Sequence, residues 1–208
     1  MAAANEKQWR EFWQRLQAGG DGLPVWRELQ AAYTESWRAY HNLDHLGHCL
    51  EELFAVHQLP DDPVAVEAGI WFHDVIYDTR RQDNEERSAE FASAALTQAG
   101  KPEIFCRNVH TLILATRHKS PPTSNDASLL TDIDLSILGQ SPERYAEFEQ
   151  QIRREYAWVA GKEFAAGRSA VLNAFLQRER IFNTPAFAQR FEVQARINLA
   201  GTIKQLTT

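Results

Sequence analysis

The sequence predicts an all-α protein, a single-domain helical bundle. Three observations carry this. Apolar residues recur at helical spacing along almost the whole chain, strand-like alternation is nearly absent, and the sparse glycines and prolines punctuate helix ends. The 208 residues are 44% hydrophobic and 24% charged, an ordinary globular composition long enough to bury a core. No repeat, low-complexity tract or linker divides them, so residues 1–208 read as one domain.

Trp9, Phe12, Trp13 and Leu16 set the first helix over 6–18, stopped by Gly19 and Gly20. Pro24 opens the second, with Val25, Leu29, Ala32 and Tyr33 on one stripe. The third covers 41–57 through Leu43, Leu46, Leu50, Leu53 and Phe54. Asp61, Asp62 and Pro63 form a start signal for a fourth, running to His73 and Asp74. A polar loop over 78–83 leads to Asn84 as cap of a helix over 85–98, ended by Gly100. Pro102 opens the next, through Val109, Leu112, Ile113 and Ala115 to Arg117, His118 and Lys119. Residues 120–125 are the clearest loop, followed by a helix over 127–138 stopped by Gly139. Three more helices are expected over 142–159, 162–180 and 186–205.

A net charge of −6 disfavours long contact with nucleic acid phosphates. Cys49 and Cys106 form no metal-type pair and are expected to be buried thiols. No signal peptide begins the chain, and no stretch approaches the roughly 18 uncharged apolar residues of a membrane span. The expectation is a soluble, cytoplasmic protein with no membrane partner.

The chemistry centres on Trp71-Phe72-His73-Asp74, an apolar approach to an adjacent imidazole and carboxylate. Burying that pair costs free energy unless it is hydrogen-bonded or compensated by charge, and a divalent cation would do so. His41 upstream and Asp134 downstream come from other predicted helices, as a site inside a bundle requires. Two imidazoles and two carboxylates suit Mn, Fe, Co, Ni or Zn, with Mg less favoured, and leave positions open for water and substrate. A buried polar network without an ion is the alternative for the same residues.

The ordered set His41, His73-Asp74 and Asp134 resembles the H…HD…D signature of the HD-domain metal-dependent phosphohydrolases. Arg38-x-x-His41 and Asp132-x-Asp134-Leu135 match its flanks. The resemblance is to a subfamily of uncharacterised predicted phosphohydrolases. It extends through Tyr40-His41-Asn42-x-x-His45, Asp74-x-x-Tyr77, Asn84-Glu85-x-x-Ser88-Ala89 and Thr116-x-His118. Further along, Glu155-Tyr156, Gly167-Arg168 and Glu192-x-x-Ala195-Arg196 also match. It spans about Leu29 to Leu206, with a motif core over 29–139 and C-terminal helices over 141–206.

The resemblance implies one metal ion at His41, His73, Asp74 and Asp134, and hydrolysis of a phosphate ester or anhydride in a small metabolite such as a nucleotide. It makes Asp134 the ligand and Asp132 a cap or a group behind the ligands. Asp74 also orients the attacking water. Glu85 is the candidate to position or deprotonate that water, or else a favourable charge at a helix start. His45, one turn after His41, transfers a proton, orients phosphate or supports a ligand. Arg38 binds phosphate or holds a ligand carboxylate. His118 is placed near substrate, His110 is structural, and His48, without motif support, is surface or packing. His110 and His118, eight apart on one predicted helix, differ by roughly 80° in direction and some 12 Å in height, which opposes a two-iron oxygenase site. A binding module without turnover is the reading from another class. Arg168, Glu192 and Arg196 are read as structural pairings, and the N-terminal aromatics as core.

Overall fold

The computed structural model describes residues 2–207. Among them are ten α-helices and no strand, so the chain is all-α as expected. The helices are α1 (Glu6–Leu16), α2 (Leu23–Tyr33), α3 (Leu43–Ala55), α4 (Pro63–Phe72), α5 (Asn84–Gln98), α6 (Glu103–Ala115), α7 (Asn125–Leu135), α8 (Pro142–Glu155), α9 (Gly161–Leu176) and α10 (Pro185–Leu206). A short 3-10 turn, Ser136–Gly139, follows α7. Where the sequence reads as one domain, the contacts group into two compact units, Met1–Thr131 and Asp132–Thr208. No helix among the described residues is long and apolar enough to cross a membrane.

The first unit is built on α4. Ala65, Val66, Ala68, Gly69, Ile70, Trp71 and Phe72 are all buried, so this helix is apolar on nearly every side and sits inside its unit. Its start follows the expected signal: the Asp62 carboxylate accepts from the Ala65 amide at 2.9 Å, and Pro63 occupies the first helical position. Asp126 strengthens the entry by accepting from the Asp61 and Asp62 amides at 2.7 and 3.0 Å.

The N-terminal aromatics are core. Trp9 packs on Trp71 and Phe72 with centroids 5.3 and 5.9 Å away, both edge-on, and on Trp26 at 6.4 Å. Its indole N–H donates to the Gly22 carbonyl at 3.0 Å. Gly22 itself has φ +68, and a Cβ there would lie 2.5 Å from the Trp13 ring, so only glycine fits. Both cysteines are buried and neither is in a disulfide, as read from their number and spacing.

Glu67 ties α4 to α1. It receives the Arg15 guanidinium at 2.6 and 3.3 Å, yet burial outweighs this and raises its carboxyl above the usual range. The folded protein therefore keeps a proton that the unfolded chain has shed. That contribution is fully present below the ordinary carboxyl value and is lost as pH rises through the folded one. Urea unfolding of wild type and Glu67→Gln across the acidic range checks this. Wild-type stability should fall relative to the variant as pH rises; parallel curves would remove Glu67 as the cause.

The second unit holds the 3-10 turn and α8 to α10. A Cβ at Gly139 would lie 2.4 Å from Phe191 Cβ and 2.7 Å from its carbonyl oxygen, so glycine lets the turn meet α10 backbone to backbone. α7 stops at Leu135 and the chain tightens into a 3-10 turn, where the spacing predicts an α-helix to Leu138. The three C-terminal motif residues are structural. Arg168 makes a two-point pair with Glu149 at 2.6 and 3.0 Å. Arg196 bonds Glu192 and donates to the carbonyls of Leu176, Arg178 and Glu179, which closes the C-terminal end of α9. Glu192 in turn accepts from the Ile181 and Phe182 amides.

Candidate metal centre

The His73-Asp74 pair lies where α4 ends. His73 caps the helix, with helical backbone angles and its amide donating to Gly69 at 2.9 Å, and Val75 N–H closes onto the Phe72 carbonyl at 3.1 Å. On a continuous helix adjacent side chains diverge by about 100°. Because the helix stops at Phe72, Asp74 is released from that constraint and turns back toward His73. The sequence reading kept both residues on the helix and required the aspartate to swing across; ending the helix removes that requirement.

Three side chains hold the turn by its backbone. The Tyr33 hydroxyl donates to the Trp71 carbonyl and accepts from the Asp74 amide, both at 3.2 Å. Ser88 Oγ accepts from Ile76 N–H at 3.1 Å and donates to its carbonyl at 3.3 Å. Arg38, whose side chain is 1% exposed, donates to the carbonyls of Asp74 (2.6 Å), Val75 (2.9 Å) and His41 (3.3 Å), and through Nε to Glu35 at 2.9 Å. The sequence offers Arg38 a phosphate or a ligand carboxylate. The fold spends three of its five N–H donors on main-chain oxygens and a fourth on the Glu35 carboxylate.

The site itself follows from one hydrogen bond. His73 Nδ1 lies 2.9 Å from the Ile70 carbonyl oxygen, which can only accept, so Nδ1 carries a proton, and in the neutral ring Nε2 presents a lone pair. That nitrogen stands 3.1 Å from Asp74 Oδ2 and 3.1 Å from His45 Nε2, and His45 Nε2 is 3.6 Å from the same oxygen. A lone pair facing a carboxylate at this distance needs a proton or a cation between them. Donors bound to one ion at about 2.1 Å lie about 3.0 Å apart at octahedral angles and about 3.4 Å apart at tetrahedral ones. The observed triangle has that size, and His45, His73 and Asp74 are thus a cluster able to hold a metal ion.

His45, placed in the catalytic set by the sequence reading, is therefore the imidazole that faces His73. It is buried on α3, whose start is capped by Asn42 accepting from the Asp44 and His45 amides at 2.8 and 3.4 Å. His41, assigned to the metal, lies beside it on the segment before α3. Its ring stacks on Tyr77 at 4.2 Å and stands 5.7 Å from the His45 ring, with Tyr40 packed against both.

Asp132 and Asp134 part ways on α7, where two residues subtend about 200°. Asp132 is fully buried and accepts from Asn183 N (2.8 Å), Asn183 Nδ2 (2.9 Å), Thr184 N (2.7 Å) and Thr184 Oγ1 (2.7 Å). It caps the entry to α10, not the start of its own helix as its position suggested. Asp134, on the other side of α7, is partly exposed.

Glu85 sits half-buried in the first turn of α5, beside Glu86, which pairs with Arg117. Asn84, expected as the cap, is instead the first helical residue after Asp83; its amide ties the loop by bonding both the N–H and the carbonyl of Asp78. His118 is not on α6, which ends at Ala115. It has left-handed backbone, φ +54. The helical angle and height between His110 and His118 therefore do not apply, and that argument against a second metal falls. His48 is buried packing on α3. Tyr33 and Tyr77 were visible in the sequence only as a stripe residue and a motif letter, because what they touch is distant along the chain.

The chain finds no match among protein-family models, curated proteins or solved structures.

Proposed function

We propose that the chain is a metal-dependent phosphohydrolase acting on a small phosphorylated metabolite such as a nucleotide. The observation that supports it best is the His73 tautomer: Nδ1–H held by Ile70 leaves Nε2 facing Asp74 and His45 at cation-holding distances. His45, His73 and Asp74 would hold the ion, joined by His41 beside them and by Asp134, which the family resemblance supplies. A divalent cation in such a site acts as a Lewis acid toward a phosphoryl oxygen and makes a water ligand acidic. Neutral imidazoles and one or two carboxylates suit Mn, Fe, Co, Ni or Zn better than Mg.

The chain's own groups do the rest. Asp74, fixed by its backbone, has a carboxylate able to orient a water for attack. Glu85 is the proposed proton acceptor for that water and His118 a substrate contact, both carried from the resemblance. Arg38, with its donors spent on carbonyls, leaves charge neutralisation at phosphate to the ion and to groups outside the turn.

Elemental analysis of protein purified without chelator tests the reading. About one transition metal per chain in wild type and little in His73→Ala is expected, with phosphate released from some member of a nucleotide panel. No metal after reconstitution with Mn, Co, Ni, Fe and Zn would leave the cluster as a polar network. Two irons per chain with oxygen-dependent turnover would replace hydrolysis by oxygenation. Ligand-induced stabilisation without product across the panel would favour a binding module.

A further inference from the structure

Arg38 lies in a column of stacked groups. Its guanidinium carbon sits over the Tyr33 ring, 5.2 Å from the centroid, and over the Tyr77 ring at 5.5 Å. Tyr77 stacks in turn on His41, 4.2 Å away and inclined by 27°. The column thus runs Tyr33, Arg38, Tyr77, His41. Across it, the Arg38 fork joins the carbonyl of His41 to those of Asp74 and Val75. Tyr33 closes the same turn through the Asp74 amide. One side chain therefore ties the segment before α3 to the turn after α4, the two stretches that carry His41 and Asp74.

We infer that Arg38, with Tyr33, is a positioning residue that sets the metal affinity and ligand geometry of this centre. The inference rests on the metal reading of His45, His73 and Asp74. Carboxylate and imidazole lone pairs at about 3 Å repel until a proton or an ion lies between them, so anchoring of the backbone that carries them fixes the geometry an ion would meet. Main-chain anchoring does so without consuming the lone pairs: Arg38 and Tyr33 grip the Asp74 carbonyl and amide and leave its carboxylate to the site. A lysine cannot replace the planar fork, because one ammonium on a flexible stem cannot span three carbonyls with fixed geometry.

Cobalt(II) titration of full-length wild type, Arg38→Lys and Tyr33→Phe, followed by the visible ligand-field spectrum, tests this. Groups that orient metal ligands typically contribute 10- to 100-fold in affinity. Arg38→Lys should weaken cobalt binding by about that factor and shift the bands, and Tyr33→Phe should do so to a smaller extent. Leu172→Ala on α9 of the second unit serves as a control for lost stability: it should bind cobalt with wild-type affinity and an unchanged spectrum wherever it is folded. If Arg38→Lys does not fold, Tyr33→Phe carries the test. Wild-type affinity and spectrum in the folded variants would overturn the inference while leaving the metal reading intact. No cobalt uptake by wild type would overturn both.

Discussion

Asp74→Ala is expected to abolish phosphate release, by on the order of 10³-fold or more, and to empty the protein of metal while its helical circular dichroism stays unchanged. The fold survives because the turn is held by the Asp74 backbone, which alanine keeps: the amide to Tyr33 and the carbonyl to Arg38. The metal-free protein should melt no lower than wild type. Removing the carboxylate takes away an acceptor that faces the His73 lone pair at 3.1 Å, a contact that costs free energy without a cation or proton. Metal stabilisation should vanish with it, since an ion that binds only the folded state raises the melting temperature in proportion to its occupancy. Melting curves with and without added cobalt or manganese, run beside a phosphate-release assay, check both halves. Full turnover in Asp74→Ala would sink the mechanism. A large loss of stability in the metal-free variant would show that the carboxylate is a structural acceptor instead.

Asp132→Ala should have the opposite profile: a loss of about 3–5 kcal/mol in stability. Four donors from Asn183 and Thr184 converge on this buried carboxylate, and alanine leaves them without an acceptor inside the second unit. Asp132→Asn should recover part of the loss, because one amide oxygen can still accept. Asp134→Ala, two residues on and partly exposed, should cost less than about 1 kcal/mol but reduce metal uptake. Denaturant unfolding and metal analysis of the two alanine variants separate these roles. If Asp132→Ala kept its stability and lost metal, the assignment of the two aspartates would be reversed.

Much of the fold was written locally. Helical spacing, the Asp62-Pro63 start and the glycines after α1 and α5 act within a few residues, so they can be read without knowing what lies across the core. The same holds for the place to look for a site: an aspartate adjoining a histidine after an apolar run has few inexpensive uses in a protein interior. Residue types also announced the pairings of Arg168, Glu192 and Arg196, partly buried charges that each find an opposite charge.

The arrangement of the site was decided by contacts far apart in sequence. Helical periodicity continues smoothly through Phe72 to Asp74, and nothing local says that the helix ends there. Its end is held by Tyr33, Arg38 and Ser88, each at least a dozen residues away. Motif order could not choose which imidazole faces His73 Nε2, because His41 and His45 are only four residues apart and the choice depends on how α3 meets the end of α4. Nor could sequence spend the donors of Arg38 or the acceptors of Asp132, since a charged side chain takes whichever partners the packed chain leaves unsatisfied. The sequence by itself determined the helices and the residue types able to hold a metal ion; only the tertiary structure, by satisfying buried backbone groups, decided where those side chains converge.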